Sequence, residues 1–78
     1  MTTYALTLTR RYDGLFIACF PDLPEVTAYG RDDEEAVEEA RIALDCALER
    51  RLSAGEALPP ALSSGPLKVS SARYEPAL

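Results

Sequence analysis

The sequence predicts an α+β domain in which one helix packs on a small mixed sheet, with elements in the order β-β-β-α-β. Three observations carry this. Residues 4–10 alternate Tyr4, Leu6 and Leu8 with Ala5, Thr7 and Thr9, the period-two pattern of a strand with one buried face. Asp13-Gly14 then separates this run from a second apolar one, as in a hairpin whose tight turn needs positive φ. A long segment opens with acids and closes with arginines before Gly55, the charge order favoured by the dipole of a helix. At 78 residues and 47% hydrophobic content the chain can build one small core, not two.

Strand one spans Tyr4 to Arg10. Strand two, "LFIACF" from Leu15 to Phe20, is apolar on both faces, with Phe16, Ala18 and Phe20 on one and Leu15, Ile17 and Cys19 on the other, so it is placed centrally in the sheet. "CFPDLPEV" follows. Pro21 cannot donate a ladder bond and Pro24 biases Leu23 toward extension, so the segment leaves the sheet as a stiff turn anchored by Phe20. Asp22 between the prolines is placed to accept hydrogen bonds from neighbouring backbone amides; the competing reading makes it a recognition residue. Strand three runs through Val26 and Ala28 to Tyr29, and Gly30 ends it.

The helix is expected over about Asp33 to Ala54, with Asp32 and Glu35 as a capping box. At 100° per residue Val37, Ala40, Leu44, Ala47 and Leu48 share the face that packs on the sheet, with Ala36 and Ala43 at its margin. Ile42 and Cys46 project from the other side among Glu35, Glu38, Glu39 and Glu49. They are either scattered exposed apolar residues or a contact site. "EALPPALSSGP" is too rich in Pro and Ser for regular structure. Leu67 to Ser71 forms a last strand, expected to lie parallel to one of the first three. Residues 1–71 form the domain and Ala72–Leu78 a tail available to a neighbouring subunit.

Charge and composition restrict the function. Thirteen acids against eight bases give a net charge of −5, which opposes binding to a phosphate backbone and favours a basic or neutral partner. The acids concentrate at Asp32, Asp33, Glu34, Glu35, Glu38 and Glu39, whereas Arg10, Arg11, Arg50, Arg51, Lys68 and Arg73 lie outside that stretch. Any one of these acids alone reads as an ordinary solvated helix face. Two cysteines and no histidine argue against a metal centre and for free thiols, and no cofactor motif is present. The absence of a signal peptide and of a membrane-length apolar run makes the cytoplasm the expected compartment. The uncovered face of strand two, Leu15, Ile17 and Cys19 with Ala5 and Thr7 beside them, predicts self-association as a homodimer or dimer of dimers.

Metal-assisted phosphodiester cleavage needs carboxylates that converge on hard cations. Strands one and four carry no acid, so the helix glutamates lack partners and no enzymatic activity is expected.

Taken together, "YDGLFIACFPDLPEVTAYGRDDEEAVEEARIALDCALERRLSAGEALPPA" resembles the N-terminal domain of the HicB-like antitoxin family. The resemblance rests on Phe20 to Pro24 combined with Gly30, Glu34, Glu35, Ala36 and the Gly55 to Pro60 exit, and covers about Tyr4 to Ser70. Many relatives continue Pro24 with Gly-Cys; this chain has Glu25-Val26. The resemblance implies a partial ribonuclease H-like fold without catalytic acids. It also implies a type II antitoxin that neutralises a small basic HicA-type, mRNA-cleaving toxin, or else an orphan HicB-like scaffold or regulatory module. Full-length relatives usually add a DNA-binding segment; with the chain ending at Leu78, no DNA binding is expected. The partner-contact candidates are Leu15, Ile17, Cys19, Asp22, Glu35, Glu38, Glu39, Ile42 and Cys46, with Phe20, Pro21 and Pro24 as structural turn residues.

Overall fold

The first alternating run folds as two short strands, β1 (Thr3–Ala5) and β2 (Thr7–Arg10), interrupted at Leu6. The computed structural model describes residues 3–70; Ser71 and the Ala72–Leu78 tail lie outside them. β3 (Phe16–Phe20), β4 (Leu23–Gly30), the helix α1 (Asp33–Ser53) and β5 (Lys68–Ser70) complete the order. The fold is α+β with one helix, as expected.

β2 and β3 form a hairpin in which Arg10 faces Phe16 and Thr7 faces Cys19. Its turn uses Gly14 at φ 89°, the left-handed conformation that lets the amide of Gly14 donate to the Arg11 carbonyl while the Arg11 amide donates to that of Leu15. The Arg11–Leu15 bond also sets the direction of every amide in the sheet. Because bonded and non-bonded pairs alternate, Thr7, Thr9, Ile17 and Cys19 direct their backbone groups across the β2–β3 seam. Phe16 and Ala18 direct theirs toward Gly30 and Ala28 of β4, their register partners.

"CFPDLPEV" does not leave the sheet. The turn is reduced to Pro21 and Asp22, and β4 resumes at Leu23, opposite Phe20, with a register shift beside Cys19. The expected third strand is therefore longer than the Val26 to Tyr29 core that alternation marks, and Pro24 lies inside it. A proline is tolerated there because β4 is an edge strand with β3 alone as its neighbour among the described residues.

β5 runs antiparallel to β1, with Tyr4 opposite Val69, and the Leu6 amide extends the pairing by donating to the Leu67 carbonyl at 2.9 Å. This corrects the expected parallel pairing and hence the mixed sheet: both sheets are antiparallel. The helix itself runs back along β4, since Ala36 near its start lies against Gly30 and Arg51 near its end reaches Glu25. The irregular loop that follows makes the return journey, so the chain has already reversed when it reaches β5. The rule for parallel crossovers applies when the strand itself makes that return.

The helix begins as the caps require. Asp32 accepts from the Glu35 amide at 2.7 Å, while Glu35 reaches back to the Arg31 amide at 3.0 Å, one residue before the position a capping box normally uses. At the other end the Gly55 amide donates to the Leu52 carbonyl and that of Glu56 to Arg51, with Gly55 at φ 79°, the paired closure of a Schellman motif. Ala36, Ala40, Leu44, Ala47 and Leu48 are buried against Ala18, Phe20, Leu23, Val26 and Ala28. Val37, expected on the buried face, is only partly covered, and Asp45 is buried among the helix residues, which the apolar pattern did not anticipate. Gly30 is demanded by proximity: a Cβ there would lie 2.2 Å from the Ala36 backbone nitrogen.

Candidate functional site: an acid-rimmed groove and two contact surfaces

The side chains singled out in the sequence fall on opposite sides of the domain. Glu35, Glu38, Glu39, Ile42 and Cys46 lie along the exposed outer surface of α1, Ile42 being 47% exposed. Leu15, Ile17 and Cys19 are half-buried on the sheet face turned away from the helix. The fold does not bring these groups together. Ala5, expected beside Ile17 and Cys19, is buried where β5 covers β1, so it is not part of that patch.

Cross-strand register defines the outer sheet face. Thr9, Ile17 and Tyr29 form one row, and Thr7, Cys19 and Thr27 the next. Tyr29 is 50% exposed and adds an aromatic ring that the strand-two pattern alone did not place there.

Asp22 makes a long-range contact instead of bonding to neighbouring amides. Its carboxylate accepts from the Ser63 amide at 3.1 Å and from the Ser63 hydroxyl at 2.9 Å. This ties the hairpin turn to the loop after the helix. The Tyr4 hydroxyl donates to the Pro59 carbonyl at 2.7 Å and fastens the same loop a few residues earlier. Burial raises the Tyr4 pKa, with Arg51 acting in the opposite sense, so the phenol remains a donor at neutral pH.

Two of the candidate acids have local duties. Glu35 caps the helix entry, and Glu38 is paired with Arg41; the hydrogen bond from Arg41 holds the Glu38 carboxyl below its ordinary range. Glu38 nevertheless borders a groove of about 300 Å³ between α1 and β2. Leu8, Val37 and Leu67 supply its apolar floor, and Asp33, Glu34 and Glu38 its acidic rim. Leu67 is 40% exposed. Asp33 and Glu34 owe their place to the helix dipole, and the groove exists because β5 returns beside β1. The sequence marked Leu8 and Val37 only as apolar positions on the buried faces of strand and helix, and Leu67 could not be assigned to the site without the path of the loop.

A wider groove of about 750 Å³ lies along the β4 side of the helix, lined by Glu25, Thr27, Cys46, Glu49 and Arg50 among others. Glu25, which follows Pro24 where Gly-Cys was the familial expectation, is held by Arg51 at 2.7 Å. Partial burial pushes the Glu25 pKa up, but its backbone hydrogen bond and Arg51 outweigh this and leave it lowered. Both cysteines are free. Among the described residues no group of three His, Cys, Asp or Glu side chains could hold a metal ion, and no helix is long and apolar enough to cross a membrane.

The architecture has a solved counterpart. The N-terminal domain of Burkholderia pseudomallei antitoxin HicB superposes with a TM-score of 0.73, over 81% of this chain and 74% of that one, at 19% identity. This chain shares that fold. The fold implied by the sequence resemblance to HicB-like domains is therefore the fold found. No protein-family model matches the sequence, and no curated protein matches it.

Proposed function

We propose that this chain is an antitoxin-type inhibitor, a non-catalytic cytoplasmic protein that binds and neutralises a small basic, mRNA-cleaving toxin of the HicA type. The observation that carries this reading is the acid-rimmed groove between α1 and β2. Leu8, Val37 and Leu67 offer an apolar floor on which a side chain can anchor, and Asp33, Glu34 and Glu38 surround it with negative potential that steers a cationic protein. The HicB-like fold and a net charge of −5 support the same reading. Glu39, Ile42 and Cys46 extend the contact along the helix, and Leu15, Ile17 and Cys19 serve self-association. DNA binding is not part of the proposed role.

The test is co-expression of the chain with a HicA-type toxin. Relief of growth arrest, and a complex whose affinity falls at least tenfold with Glu34→Lys and Glu38→Lys together, is the expected result. Failure to bind or rescue across such toxins would leave the alternative, an oligomeric HicB-like scaffold or regulatory module; the half-exposed Tyr29 beside Ile17 on the outer sheet face favours that second reading.

A further inference from the structure

We propose that β4 pairs antiparallel with the β4 of a second copy of this chain, about a two-fold axis at Ala28, so that two sheets become one. The alternation set by the Arg11–Leu15 bond turns the backbone groups of Gly30 and Ala28 toward β3 and those of Thr27 and Tyr29 away from it. Thr27 and Tyr29 thus present amides and carbonyls at an edge that no strand among the described residues covers. The opposite edge differs: there Leu67 and β5 take up the backbone of Leu6 and β1.

The features by which edge strands discourage pairing, here Pro24, Glu25 and the register shift beside them, are confined to the start of β4, and the stretch from Val26 to Tyr29 has none of them. It contains no lysine, proline or glycine. The groove of about 750 Å³ lies between this stretch and the helix.

The sequence of the edge indicates that its occupant is another copy. In an antiparallel pair centred on Ala28, Thr27 faces the partner's Tyr29 and each such pair exchanges both of its backbone bonds. Ala28 meets the partner's Ala28 at the close, non-bonded position on the axis, where a small side chain fits. Glu25, whose carboxylate also pairs with Arg51 of its own chain and which lies at the register shift of β4, falls near the partner's Arg31, so opposite charges approach each other at both ends. Arg31 is exposed, and among the described residues its side chain has no ion pair. Threonine opposite tyrosine and glutamate opposite arginine are favourable cross-strand pairs. A basic strand from another protein would instead set cations against Arg31. The same pairing brings the Ile17 and Tyr29 rows of two copies into one continuous outer face, the surface a dimer of dimers would use.

This inference does not rest on the antitoxin reading, and its test is separate. Sedimentation of the full chain should show a dimer at micromolar concentration. Thr27→Pro removes an amide that points away from β3, so it should give a monomer with an unchanged circular dichroism spectrum. Arg31→Glu, which leaves every backbone group in place, should weaken the dimer at least tenfold even if the proline perturbs the strand. A chain that is monomeric throughout, or a dimer that keeps its mass in both variants and is dissociated by Ile17→Glu instead, would overturn the proposal.

Discussion

The Asp22 carboxylate accepts from both the amide and the hydroxyl of Ser63, 41 residues further along the chain. One side chain thereby fixes the turn between β3 and β4 to the loop that leads into β5. Asp22→Ala should leave the hairpin intact but free that loop, at a cost of about 1–3 kcal/mol for a partly buried, charge-assisted bond. Hydrogen exchange at the Ser63 amide should accelerate more than at Ala18 in the sheet core. Asp22→Asn, which retains one acceptor oxygen, should fall between the two. Equal exchange at Ser63 in all three proteins would show that other contacts hold the loop.

Phe20 is 1% exposed and closes the core where β3 ends against Leu23. Phe20→Ala should cost about 3–5 kcal/mol, comparable to the whole net stability of a domain this small. Urea denaturation should show the variant largely unfolded at 25 °C. A cooperative transition with an unchanged midpoint would contradict the burial assigned to this ring.

Gly30 is required by contact, not by an unusual φ. Gly30→Ala would place its Cβ against the backbone of Ala36, which cannot move without displacing the start of α1. The expected loss is at the upper end of about 1–3 kcal/mol, with the amides of Glu35 and Ala36 losing exchange protection first. Gly65→Ala, at a position with open space around it, is the control and should change stability little.

The Glu25 pKa is lowered in the folded protein, so its pairing with Arg51 contributes stability that is present above the ordinary glutamate range and is lost as pH falls through the lowered value. The pair is partly exposed, and its contribution should stay below about 1 kcal/mol. Glu25→Gln should therefore lower the unfolding midpoint slightly at pH 7 and have no effect near pH 2. The same small difference at both pH values would mean that packing, not charge, is responsible.

What the sequence determined by itself was local. Gly14 fixed the hairpin turn, Asp32 and Gly55 bounded the helix to within a residue or so, and the spacing of Ala40, Leu44, Ala47 and Leu48 selected its buried face. These features depend on residues only a few positions apart. The same short-range patterning joined β1 and β2 into one strand and took the chain out of the sheet between Pro21 and Pro24, because alternation carries no sign of the Leu6–Leu67 bond or of a hairpin that accommodates Pro24 at a free edge. Tertiary structure decided the direction of β5, the exchange of Asp22's expected local partners for Ser63, the need for glycine opposite Ala36, and the groove that joins Leu8 and Val37 to Leu67. Each of these depends on where the loop after the helix travels. That path is set by contacts between residues tens of positions apart, Tyr4 with Pro59, Asp22 with Ser63 and Leu6 with Leu67, which no short-range pattern encodes.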